Sequence, residues 1–179
     1  VLLQKDPELV TGAGAGLDSA GLKRKTEVIR RGIGLHHPDP MDGMEVLQKV
    51  GGFDLAAMAG AFLGGAIYHV PVVIDGVIAA AAAAAAGRIA PAATDYMLAA
   101  HVSAEPASIW LLDLIGVTPA IQAGLRLGEG TGALALFPLL DMALSKVTGT
   151  RSVAYERSNL GQAAKAMQMA IAEITMDVD

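Results

Sequence analysis

The stretch from Pro71 to Gly87, PVVIDGVIAAAAAAAAG, narrows the possible folds more than any other part of the chain. Val72, Val73 and Ile74 form a continuous β-branched run, ended by Asp75 and Gly76. A strand with one wet face would alternate polar and apolar residues. An unbroken apolar run suits a parallel strand covered on both faces. Eight alanines follow, the best helix formers there are. A strand followed directly by a helix is the first half of a βαβ unit. The pattern then recurs. DYMLAAHVSAEP reads as a strand running into a polar loop, and PASIWLLDLIG as a helix. AIQAGLRLGEG is a strand-and-loop candidate, and TGALALFPLLDMALSKV a helix that contains Pro138. The expectation is an α/β fold: a three-layer αβα domain with a mostly parallel, Rossmann-like sheet. It is expected to be incomplete at its N-terminal side and to end in a helical tail.

The flanking segments fit that frame. ELVTG reads as a short strand end, and Gly12 to Gly16 as a glycine loop. LDSAGLKRKTEVIRRGI reads as a helix capped by Asp18 or Ser19. HHPDPMDG is a loop by its prolines, and MEVLQKVG a short helix. Asp54 is expected to cap a long helix from Leu55 to about Tyr68. The small residues in these helices imply close helix packing. Past an irregular stretch around TGTRSVAYERSN, Leu160 to Met176 reads as an amphipathic helix capped by Ser158 or Asn159. The expected division is residues 1–147 for the α/β domain and 148–179 for a small helical subdomain. The chain opens at Val1 in mid-pattern, so it is expected to belong to a longer polypeptide.

Composition excludes several functions. Of 179 residues, 53% are hydrophobic and 17% charged, which describes a globular chain with a core. A net charge of −5 offers no broad basic surface for nucleic acid, and seven aromatic residues leave little for base stacking. Without cysteine there are no disulfides, zinc thiolates or thiol nucleophiles. The apolar runs from Leu55 to Tyr68 and from Val77 to Gly87 fall short of the ~20 residues a spanning helix needs. No charged segment followed by an apolar core opens the chain. A cytoplasmic protein is expected, without a membrane partner.

In an open parallel sheet, ligands bind beyond the carboxyl ends of the strands. The polar clusters GAGAG, DG, HVSAE and LGEGTG all fall there. In LGEGTG, Gly128 and Gly130 flank Glu129 at the head of a helix, whose free N–H groups favour anions. A catalytic base fits that setting, and so does an ordinary exposed turn. GAGAG precedes Lys25 and could hold a phosphate through backbone amides and that ammonium. It lacks the GxGxxG spacing and the following acid of a dinucleotide site; Lys23 and Arg24 read as solvated. Ser103 is a hydroxyl donor to an anion or a helix cap. His101 and Ser103 are too close in sequence, and lack the GxSxG elbow, for a serine hydrolase. Asp75 binds ligand hydroxyls or caps a neighbouring helix. His36, His37, Asp39 and Asp42 read as a plain loop rather than a metal site, and His69 as structural.

Taken together, VTGAGAGLDSAGLKRK, LQKVGGFDLAAMAGAFLGGA, VPVVIDG, HVSAEP and GLRLGEGTGALALFPLL resemble the nicotinate-nucleotide–dimethylbenzimidazole phosphoribosyltransferase family of the cobalamin pathway. They follow the family order from about Val10 to Leu144. The resemblance implies transfer of the phosphoribosyl group of nicotinate mononucleotide to 5,6-dimethylbenzimidazole, giving α-ribazole 5′-phosphate and nicotinate. It implies that Glu129 is the base. It also implies that Gly12, Gly14, Lys25, Ser103 and Gly128 hold the nucleotide phosphate, and that Asp75 lies near the ribose. No cofactor and no metal are implied. Family members pair as homodimers; the alternative here is pairing with an upstream half that carries a second acid and most of the benzimidazole pocket. Val77 and Ala79 depart from the Phe and Ser usual in the family. Two other functions stay open: a non-catalytic nucleotide-binding or assembly subunit, and a phosphoribosyltransferase for another acceptor base.

Overall fold

The computed structural model describes residues 1–14, 16–125 and 128–148, with side chains to Leu144. Its elements are α1 (Pro7–Val10), α2 (Ser19–His36), α3 (Gly43–Val50), α4 (Phe53–Ile67), β1 (Val72–Ile74), α5 (Val77–Ile89), β2 (Met97–Ala99), α6 (Ser108–Leu114) and α7 (Thr131–Thr148). A 3-10 turn over Pro91–Tyr96 leads into β2.

The strands are short and parallel, with Val72 opposite Met97, Val73 opposite Leu98 and Ile74 opposite Ala99. A parallel bridge from His101 to Ile121 adds a third segment beside β2. That bridge is what the expected strand in AIQAGLRLGEG amounts to, and Arg126 and Leu127 of that stretch lie outside the described residues.

The period of two along a strand divides the core. Ile74, Met97 and Ala99 face one cluster, built with Ala59 and Phe62 of α4, the alanines of α5, and Leu111 and Leu112 of α6. Leu98 and Ala100 face the other, with Leu136, Leu140 and Ala143 of α7. Helices therefore cover both faces of a parallel sheet, the three-layer α/β arrangement expected.

Helix α5 is the centre of the larger layer. Ala82 to Ala86 are at most 1% exposed, so the middle of this helix is buried around its whole circumference. Only alanine gives strong helix propensity and lets neighbours approach from every side. Gly43 of α3 lies directly on the Ala85 carbonyl, where a methyl group would collide. Gly65 of α4 admits Val72 of β1 in the same way.

Several local expectations are corrected. The ELVTG segment is not a strand end, because Asp6 caps α1 by accepting from the Glu8 amide (2.8 Å) and Pro7 occupies the first helical position. Asp54 does not cap α4. Gly52 does, with no side-chain bond, and Asp54 sits in the first turn, where the helix dipole favours an acid. Helix α2 is capped by Asp18, whose carboxylate accepts from Gly21 N (2.6 Å). It runs on to His36 and stops at His37 in the left-handed conformation (φ 43°). The anticipated C-terminal helix and the second domain lie outside the described residues. No helix among the described residues is long and apolar enough to cross a membrane.

Candidate active site

The carboxyl ends of the strands deliver the functional side chains. Strand β1 ends at Ile74, so Asp75 emerges at the sheet edge. Its carboxylate turns away from the helix that follows it and caps α7 instead. Oδ2 accepts from Gly130 N (3.2 Å) and Oδ1 from Ala133 N (2.9 Å). Those amides are free donors of a helix start, and a carboxylate there also meets the positive end of the dipole.

That cap fixes the turn bearing Glu129. Thr131 closes it from the other side, donating through its hydroxyl to the Gly128 carbonyl (3.0 Å). Within the turn Glu129 has φ 64°, the left-handed region that costs a non-glycine residue about 1–2 kcal/mol. Gly130 follows at φ 83°. The Glu129 side chain is exposed and makes no hydrogen bond or ion pair with another described residue. It is not the partly desolvated carboxylate that the base reading calls for.

Beyond the end of β2 at Ala99 come His101 and Ser103. His101 is 3% exposed, and neither ring nitrogen has a hydrogen-bond partner among the described residues. Its Nε2 lies 3.9 Å from Asp75 Oδ1. The ring packs against Gly132, where a Cβ would strike both His101 and Asp75, so only glycine fits this point of α7.

The second cluster is gathered by Glu105. Its Oε1 accepts from Gly14 N (3.2 Å), and its carboxylate lies on Gly12 where a Cβ would be. Lys25 reaches back from α2 to donate to the Gly12 carbonyl (2.8 Å). Ser103 Oγ accepts from Glu105 N (3.4 Å), and Ser103 N donates to the buried Ser108 Oγ (3.0 Å). Gly14, at φ 58°, needs the left-handed freedom of glycine. The cluster borders a cavity of about 360 Å³ with Thr11, Lys25 and Glu105 on its wall and otherwise mostly apolar residues, among them Leu55, Ala81 and Leu111. Such a lining suits a ligand with a charged end and an apolar body.

The phosphoribosyltransferase family model matches residues 1–155. The chain belongs to this phosphoribosyltransferase family. The nicotinate-nucleotide–dimethylbenzimidazole phosphoribosyltransferase of Desulforudis audaxviator is 51% identical over 133 residues, which cover 74% of this chain and 38% of that protein. The enzyme of the same name from Salinispora tropica is 49% identical over 144 residues, covering 80% and 40%. The crystal structure of CobT from Thermus thermophilus superposes with a TM-score of 0.73 at 35% identity, covering 93% of this chain and 44% of that one. The chain thus spans about two fifths of the length of the curated relatives it matches.

Within this chain, the structure gathers Gly12, Gly14, Lys25 and Ser103 around Glu105, and Gly128 and Glu129 near Asp75. Both clusters sit at the same edge of the sheet, joined by the segment from His101 to Glu105. No hydrogen bond links Glu129 to Lys25 or Ser103. Asp75 is engaged as a helix cap, one of the two roles its sequence position allows. The sequence assigns no role to His101 or Glu105, and to Gly132 only the opening of a helix. The signal was present in HVSAE, an unusual set of polar residues directly after a buried strand.

The remaining polar loop has a structural purpose. Asp42 caps α3 through the Met44 and Glu45 amides, and Asp39 accepts from Met41 N. Glu45 accepts from Asp39 N and from Lys49, and the Lys49 hydrogen bond holds its carboxyl below the usual carboxylate range. His69 bonds the Tyr96 hydroxyl at 2.7 Å. Among the described residues, no group of three or more His, Asp or Glu side chains is placed to hold a metal.

Proposed function

We propose that this chain carries the phosphoribosyl-transfer centre of a nicotinate-nucleotide–dimethylbenzimidazole phosphoribosyltransferase. The observation that carries the reading is Glu129, an acid held in a left-handed turn by Asp75 and Thr131 at the head of α7. Residues in sparsely populated backbone conformations persist where the surroundings over-determine them, and such places cluster at functional sites. The names of the relatives supply the substrates.

In this mechanism the Glu129 carboxylate takes the N–H proton of dimethylbenzimidazole. The other ring nitrogen attacks the ribose C1′ on the face opposite nicotinate. The C1′–N bond to the pyridinium breaks, and its electron pair neutralises the nitrogen of the departing nicotinate. The configuration inverts from β to α, and the proton passes from Glu129 to water. Lys25, the amides of the glycine loop, Ser103 and Gly128 grip the 5′-phosphate and so fix C1′ for in-line attack. Asp75 serves the ribose side indirectly, by holding the turn. The exposure of Glu129 implies that desolvation comes with substrate or with further chain of the kind the longer relatives possess.

Replacing Glu129 with Gln in the complete protein is expected to lower turnover by about 10²- to 10⁴-fold, the usual range for a lost general base. Unchanged turnover would sink the reading. A second reading, a nucleotide-binding subunit without catalysis, is favoured by that same exposure. Calorimetry with nicotinate mononucleotide separates the two: binding with no turnover in the complete protein supports the subunit. Varying the acceptor among benzimidazoles, purines and phenols in the same assay fixes the base. The homodimer, and equally a pairing with an upstream half, is tested by the mass of the assembled protein in solution.

A further inference from the structure

We propose that His101 is a positioning residue for the Glu129 turn, acting through Asp75. The inference rests on reading Glu129 as the base, and it assigns His101 a task that packing alone does not require. A buried imidazole whose nitrogens find no partner among the described residues is costly to keep, and an apolar ring would fill the same space without that cost. What distinguishes the imidazole is its Nε2, which points toward Asp75 Oδ1 at 3.9 Å, just beyond hydrogen-bond reach. Oδ1 is also the atom that accepts from Ala133 N, while Oδ2 holds Gly130 N, the amide directly after Glu129.

The carboxylate therefore stands between a buried ring and the two amides that define the turn. An N–H on Nε2 attracts Oδ1 electrostatically across this gap and so biases the rotation of the carboxylate, and with it the line on which Oδ2 meets Gly130. Gly132 completes the device. Its missing side chain lets the ring lie against the first turn of α7, so that ring, carboxylate and turn form one stack. A displacement of the turn by a fraction of an ångström closes the gap from Nε2 to Oδ1.

The test uses the complete protein with three measurements. In the unaltered protein, long-range ¹H–¹⁵N spectra are expected to find Nε2 protonated and Nδ1 bare; the opposite tautomer overturns the proposal. In His101→Phe, kcat is expected to fall about ten- to a hundredfold with KM for nicotinate mononucleotide nearly unchanged, the range for a displaced catalytic group. His101→Gln, which restores an N–H at the same reach, is expected to recover most of that loss. Recovery no better than with Phe overturns the proposal. So does a rise in KM with kcat unchanged, which would put the ring on the substrate. Amide exchange at Gly130 and Ala133 is expected to quicken in His101→Phe and to stay unchanged in Glu129→Gln. If Glu129→Gln turns over normally, the base reading fails, while the exchange data still decide whether His101 acts on the turn through Asp75.

Discussion

Helices α5 and α7 start at the same edge of the sheet, but their first turns are secured in opposite ways. Helix α5 begins after Gly76 with no side-chain cap, and α3, α4, α6 and the sheet enclose its central turns and hold it from there. Helix α7 begins at an exposed turn and receives its cap from Asp75, the residue just before Gly76. The carboxylate nearest α5 in the chain serves α7 in space. Where neighbours press on a helix from all sides, packing fixes it and a cap is dispensable. Where the turn is exposed, directional bonds replace packing. Burial is concentrated in α5, and directional bonding in the turn before α7, which carries the proposed base Glu129.

The sharpest break in that comparison is Ala83→Leu. Ala83 is 0% exposed, so the larger side chain has nowhere to go, and a loss of about 3 kcal/mol in denaturant unfolding is expected. Turnover per folded molecule should be unchanged. Asp75→Ala removes both bonds to the α7 start and is expected to cost about 1–2 kcal/mol. It should lower turnover far more than Ala83→Leu does; equal effects on turnover would erase the division between the two helices. Glu129→Gly relieves the left-handed backbone and is expected to gain up to about 1 kcal/mol in thermal unfolding while abolishing transfer.

The smallest effect lies away from both helices, at the α3 cap. Glu45 has its folded pKa lowered by Lys49, so its contribution to stability is present above the unfolded carboxylate value. That contribution is lost as pH falls through the folded value. In Lys49→Ala the Glu45 pKa is expected to rise toward the ordinary carboxylate value. An NMR titration of the side-chain carboxyl reads this directly, and no change would show that the ion pair does not set it.

What could be read from the sequence was whatever depends on neighbours in the chain. The β-branched run of β1, the alanines of α5 and the Asp18 cap of α2 each announce themselves within a few residues. So does the placement of polar clusters after strands, which brought Lys25, Asp75, Ser103 and Glu129 to one edge. The misreadings are also local: Val10 and Thr11 suggested a strand, but the cap and fixed dihedral of Asp6–Pro7 prevailed. Asp54 has the side chain of a cap, but the helix starts two residues earlier, at Phe53 after Gly52. The long-range contacts were out of reach. Asp75 bonds amides 55 and 58 residues away, and Glu105 bonds Gly14 across 91 residues. No periodicity encodes such a pairing. The same holds for His101, whose burial depends on α7 closing over it.

The alanines of α5 have one more consequence. A methyl side chain has no rotamers to lose, so ordering this helix costs backbone freedom alone, whereas a leucine-built centre would also forfeit side-chain entropy at every position. The most buried helix among the described residues thus folds without any cost in alanine side-chain freedom.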